Sequence, residues 1–144
     1  MKEKKIKIRV AGFLFIDHKL LLVEHKKEKS LHWVIPGGGI EFQETASKAL
    51  KREFKEELDL DISVGEYLFA DEVIWNNRHN IDLYFKVNLN SDFNIKLEQG
   101  TALTQYRLFA KSEISSIHIE PNLQSIISKS FDDNFYRGFK DYEK

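Results

Sequence analysis

The chain has 144 residues, 42% hydrophobic and 31% charged, with a formal net charge of −1. That is one domain's length with a proper core, and no basic field argues for nucleic-acid binding. Cysteine is absent, which excludes disulfides, thiolate catalysis and thiolate zinc sites, and no apolar run reaches the length of a membrane span.

The first nine residues carry Lys2, Lys4, Lys5, Lys7 and Arg9 but lack the apolar stretch of a signal peptide, so a cytoplasmic location is expected. Residues 6–16 are rich in β-branched and aromatic side chains and read as a strand. Asp17, His18 and Lys19 read as a turn, and Leu20 to Glu24 as the returning strand. Residues 25–30 read as a polar loop, and His32 to Ile35 as a short strand running into a glycine turn at Gly37, Gly38 and Gly39.

A helix is predicted over roughly 45–58, because Ala46, Ala49, Leu50, Phe54 and Leu58 recur at helical spacing. Residues 62–75 and 80–89 alternate like two long strands joined by residues 76–79, and 90–101 form an exposed polar loop. Leu103 to Ala110 reads as a further strand. Pro121 is placed to open a second helix with Leu123, Ile126 and Ile127 on one face. Residues 132–144 form a polar, aromatic tail beyond a core of about 6–131. Strands alternating with two helices give an α/β fold with a mixed sheet between helices.

The chemistry sits where the glycine turn meets the first helix. Glu53 neighbours both Glu56 and Glu57 there, and clustered carboxylates repel unless a cation lies between them. Hard divalent cations take such oxygen ligands, and Mg²⁺ works with a few carboxylates plus substrate phosphates. Without the glycine turn upstream, a solvated charged face, partly paired with Lys or Arg, would be the reading of these glutamates. The five histidines show no ligand spacing, so a zinc site is not expected.

Residues 38–60 resemble the Nudix box, G-x5-E-x7-R-E-U-x-E-E-x-G-U with U a bulky apolar residue. Gly38, Glu44, Arg52, Glu53, Phe54, Glu56, Glu57 and Leu60 fit, and Asp59 stands where the family has glycine. Asp tolerates a left-handed backbone better than most residues, so the helix end is expected to survive. The Pro-Gly usual in the preceding loop is replaced by Phe42 and Gln43. Residues 33–38 also resemble the strand and turn that precede the box.

The resemblance implies an α/β/α Nudix sandwich and a metal-dependent pyrophosphohydrolase cleaving a nucleoside diphosphate linked to a group X. Glu53, Glu56 and Glu57 would hold Mg²⁺ or Mn²⁺, with the Gly37 carbonyl as a further ligand. Bound ions bridge phosphate oxygens and acidify the attacking water. Glu44 would cap the helix or support Arg52, and Arg52 would organise the carboxylates. Acids common in the family before the strand at 103–110 are replaced by Ala102, Thr104 and Gln105, which leaves Glu98 or Glu53 as candidate base.

Substrate contacts are sought at Gly38, Gly39, Arg9 and Arg78, with His79 beside the last. Phe13, Trp33, Trp75, Tyr84 and Phe85 are candidates to stack a base or to fill the core. The partner is a small nucleotide, with a nucleoside triphosphate, damaged or non-standard forms included, as the first expectation. A nucleotide sugar such as GDP-mannose, ADP-ribose, or a non-catalytic nucleotide sensor are the alternatives. No membrane partner is expected, and a homodimer stays open.

Overall fold

Neighbouring residues along the first strands belong to different hydrophobic clusters. In a computed structural model describing residues 4–27, 30–75, 77–119 and 123–131, Val10 packs in one cluster and Ala11 in the other. Leu20 and Leu22 face one way, Leu21 and Val23 the other. Side chains alternate across a pleated strand, so these strands are buried on both faces.

Sheet A has the order β5-β1-β7-β6, built from β1 (Lys7–Phe13), β5 (Gly37–Gly39), β6 (Ile62–Trp75) and β7 (Arg78–Leu89). β1 runs parallel to β7, and the other pairs are antiparallel. Sheet B is antiparallel: β3 (Lys19–Lys27) lies between β4 (Ser30–Val34) and β8 (Leu103–Phe109), with the short β2 (Phe15–Ile16) on β3 as well. The expected mixed sheet is thus accompanied by a second, antiparallel one. The strand predicted over 6–16 breaks at Leu14, whose carbonyl accepts from the Leu21 N–H as the chain passes from one sheet to the other.

The two helices lie on opposite faces. α1 (Ala46–Leu58) contributes Ala49, Leu50, Phe54 and Leu58 to the cluster holding Val10 and Val23. Each of its large apolar side chains contributes about 1.5–3 kcal/mol by leaving water. α2 (Gln124–Lys129) sends Ile127 into the cluster holding Phe13, Leu20 and Tyr84. The expected α/β/α layering is therefore present.

Three local expectations are corrected. In the polar segment 25–30, expected as a loop, the described residues are strand: His25 pairs with His32, Lys26 with Leu31 and Lys27 with Ser30. β3 has hydrogen-bonded neighbours on both sides, and this backbone pairing outweighs its polar composition. Gly37–Gly39 is a strand rather than a turn, and β7 begins at Arg78, paired with Trp75, two residues earlier than its alternation suggested. Pro121 and the tail 132–144 lie outside the described residues.

Candidate active site

The glycines of β5 are required by close approach, not by unusual backbone angles. A Cβ on Gly37 would strike the Val10 carbonyl oxygen and come within 2.6 Å of the Ala11 Cα. A Cβ on Gly38 would lie 2.5 and 2.6 Å from the two Glu53 carboxylate oxygens. The bare Cα of Gly38 therefore seats the Glu53 carboxylate against the strand. Left-handed backbone occurs instead at Gln43 (φ 66°) and Asp59 (φ 55°), the positions where the loop and the helix end depart from the box. Asp59 closes α1 with its N–H on the carbonyls of Lys55 and Phe54.

Thr45 caps the other end, its hydroxyl accepting from the Lys48 N–H, so Glu44 stands just outside the helix. Glu44 instead receives Arg52 through a two-bond fork, Nε to Oε2 at 2.7 Å and Nη2 to Oε1 at 2.8 Å. Arg52 also donates to Glu53 Oε1 at 2.8 Å, Glu56 Oε2 at 3.3 Å and the Gly39 carbonyl at 3.0 Å. These bonds use every donor of the guanidinium. Arg52 thus ties strand β5, the loop and two carboxylates of α1 into one frame. The hydrogen bonds from Arg52, helped by the Glu41 N–H, hold the Glu44 carboxyl down at about 2.

Glu57 lies deeper. Burial, together with a hydrogen bond to Glu53 and its charge, pushes the Glu57 carboxyl up to about 8, while Arg9 pulls against the shift and Glu98 adds to it. Glu98 is brought there by its own backbone, whose N–H donates to the Glu57 carbonyl at 2.9 Å. Glu56 is half exposed.

Glu53, Glu57 and Glu98 are thus crowded oxygen donors, with Arg52 bonded to Glu53 and the charge of Arg9 acting on Glu57. Oxygen donors of this kind suit a hard divalent cation. Among the described residues, no three acidic or histidine side chains already form a closed metal cage. Substrate phosphates and water would complete the shell of such an ion.

Of the remaining predicted contacts, Arg9 pairs in register with Gly39 and sits at the edge of this group. Arg78 does not join it: it opens β7 four residues from Asp82, about 13 Å along the strand. His79 is engaged by Glu72 at 2.8 Å. Among the aromatic candidates, Phe13 and Tyr84 are core, Trp33 packs edge-on to Phe109 at 4.8 Å, and Phe85 packs on Tyr67; the Trp75 side chain lies outside the description.

Sequence reasoning missed three features. Asp82, buried on β7, forms an ion pair with Arg9. Glu24, buried on β3, accepts from the Thr104 hydroxyl at 2.7 Å and the Gln105 amide at 2.9 Å, so a carboxylate stands beside the positions that lack one on β8. His32 lies between His25 and His118, with ring centroids 6.2 and 6.4 Å away. Only strand register brings these residues together, and no local spacing signalled it. Among the described residues, no helix is long and apolar enough to cross a membrane.

Comparison with known proteins agrees with this architecture. The NUDIX domain profile matches residues 5–130. A CTP pyrophosphohydrolase of Escherichia coli K12 is 36% identical over 65 residues, covering 44% of this chain and 48% of that protein. The match thus spans about half the length of that curated relative. A NUDIX hydrolase from Nitrosomonas europaea superposes with a TM-score of 0.77 at 22% identity, over 92% of this chain and 93% of the other. A MutT protein from Methanosarcina mazei Go1 gives 0.75 at 18% identity over the whole of both chains. With the profile spanning nearly all of the described core, the chain belongs to the NUDIX-domain family of hydrolases.

Proposed function

We propose that this protein is a divalent-metal-dependent pyrophosphohydrolase that converts a nucleoside triphosphate to the monophosphate and pyrophosphate. The observation that carries the reading is the pairing of Glu53 with Glu57 against Gly38, framed by Arg52, where burial first and then Glu53 lift Glu57 to about 8. A surface serving stability alone gains nothing from such a pair. The partial likeness to a CTP pyrophosphohydrolase supports the triphosphate over a nucleotide sugar or ADP-ribose.

Glu53, Glu56 and Glu57 are the residues that would hold Mg²⁺ or Mn²⁺, with the Gly37 carbonyl beside them. When bound, such an ion supplies charge neutralisation at the phosphates and acidifies water. Arg52 keeps Glu53 and Glu56 in one orientation, and Glu44 keeps Arg52 in place. Glu98 lies next to Glu57 and outside the Arg52 frame, which suits it to accept the proton of the attacking water. Water attacks one phosphorus of the anhydride, and the P–O bond to the pyrophosphate breaks. Gly38 and Gly39 give the phosphates close access to the strand, and Arg9 meets their charge. The reaction takes place on a small nucleotide in the cytoplasm.

The test is a panel of ribo- and deoxynucleoside triphosphates (8-oxo forms included), nucleotide sugars, ADP-ribose and diadenosine polyphosphates, assayed with Mg²⁺ and with Mn²⁺. Release of pyrophosphate from a triphosphate, abolished by EDTA, is expected. Metal-dependent nucleotide binding with no turnover across the panel would favour a nucleotide sensor instead.

A further inference from the structure

One row of paired positions crosses the whole of sheet A: Gly39 on β5, Arg9 on β1, Asp82 on β7 and Asp71 on β6. Residues paired directly across strands share a face. The next row on this face is Ala11, Tyr84 and Phe69, where the two rings stack at 4.5 Å. The core could have continued through the Asp82 row, but an arginine and two carboxylates occupy it.

This row is costly to the fold. Asp82 is buried, its side chain 10% exposed, and its Oδ1 makes no hydrogen bond within the described residues. A second carboxylate, Asp71, lies directly opposite, and like charges so placed repel. Burial raises the pKa of both groups. A buried charge of this kind is weak evidence for stability and needs another reason to be there.

Arg9 supplies the reason. Its side chain is 42% exposed, and its Nε lies 3.5 Å from Asp82 Oδ1. The contact engages the Nε side of the guanidinium from the buried side, and among the described residues the two terminal nitrogens make no hydrogen bond. A planar fork of that kind matches phosphate geometry. In the sheet, Arg9 is held between Gly39 of β5 and Asp82 of β7, its register partners on either side.

We propose that Asp82 is a positioning residue that fixes Arg9 by its Nε edge, so that the terminal nitrogens meet a phosphate of the nucleotide. Asp71 adds negative charge behind the same contact. The proposal rests on the reading of the site as one that takes a nucleotide's phosphates, and extends it to the residue that aims the arginine.

Two measurements test it on the intact chain: KM and kcat with the triphosphate the wild type hydrolyses, and the affinity for inorganic pyrophosphate in EDTA, each with thermal midpoints. The variants are Asp82→Asn, Arg9→Ala, the double variant and Arg9→Lys. Asp82→Asn is expected to raise KM about tenfold with kcat nearly unchanged, and to weaken pyrophosphate binding in step. It should do nothing further once Arg9 is alanine, because the two act as a unit. Arg9→Lys keeps the charge but loses the fork, and should resemble Arg9→Ala; this arm stands even if Asp82→Asn does not fold.

Unchanged KM in Asp82→Asn, an undiminished effect in the Arg9→Ala background, or a fully competent Arg9→Lys would overturn the proposal. So would a wild type that does not bind pyrophosphate. A wild type that binds pyrophosphate but hydrolyses no nucleotide would refute the pyrophosphohydrolase reading, and the binding arm would still decide the role of Asp82.

Discussion

At the scale of single residues, charge is distributed so that one carboxylate is held ionised and another is held protonated. Glu44 is kept at about 2 by Arg52, against an ordinary value of 4.5. A depressed carboxyl contributes stability that is present above 4.5 and lost as pH falls towards 2. Acid unfolding should therefore steepen in that window, and Glu44→Gln should flatten it, as followed by circular dichroism against pH. Glu57 has the opposite sign: with its pKa raised from 4.5 to about 8, its contribution is present below 4.5 and lost as pH rises through 8. The metal-free protein should lose thermal stability across that range, and added Mg²⁺ or Mn²⁺ should restore it. Near neutral pH, metal binding should release a proton, detectable by calorimetry in buffers of different ionisation enthalpy. No proton release, or full release in Glu57→Gln, would contradict this assignment. Arg52→Lys cannot supply five donors in a plane, and leaves Glu44 and Gly39 partly unpaired. A loss of about 1–3 kcal/mol in denaturant titration is expected, with a fall in kcat.

At the scale of elements, α1 and its connections were legible in the sequence because their determinants are local. The stripe from Ala46 to Leu58 and the carboxylates flanking it are set by helical spacing alone. The left-handed end at Asp59 was anticipated from the box glycine it replaces, and Lys55 at 3.0 Å from its carboxylate offsets part of the strain. Gln43 is a parallel case of left-handed backbone, and its uncharged side chain can make no such ion pair. Gln43→Gly is expected to stabilise by about 1 kcal/mol, and Asp59→Gly by less, since it also removes an exposed ion pair. Thermal midpoints of the two variants check the order. The β3–β4 pairing was not legible, because the polar residues His25, Lys26 and Lys27 are held by pairing to β4, and His25 also to β8, rather than by their own propensity. The β5 glycines were read as a turn for a similar reason: their strand exists through contact with β1, which local sequence does not encode.

At the scale of the whole molecule, two sheets flanked by α1 and α2 bring a loop-helix site, a strand edge and the 90–101 loop to one place. Glu98 shows how far sequence could go. It was one candidate base among two, and backbone bonds from the Lys96 and Glu98 N–H groups to the Leu58 and Glu57 carbonyls bring it to the end of α1. Asp82 and Glu24 lay beyond reach, since both gain meaning from partners on other strands. The candidate site was therefore legible as an arrangement where one continuous segment builds it, and not where register does. The most direct test of the central claim is pyrophosphate release from CTP and the other triphosphates with Mg²⁺, by wild type and by Glu57→Gln, with folding checked alongside. Metal-dependent turnover by the wild type and a fall of about 10²-fold or more in kcat for the folded variant are expected. Equal turnover by the two proteins, or turnover indifferent to EDTA, would contradict that claim.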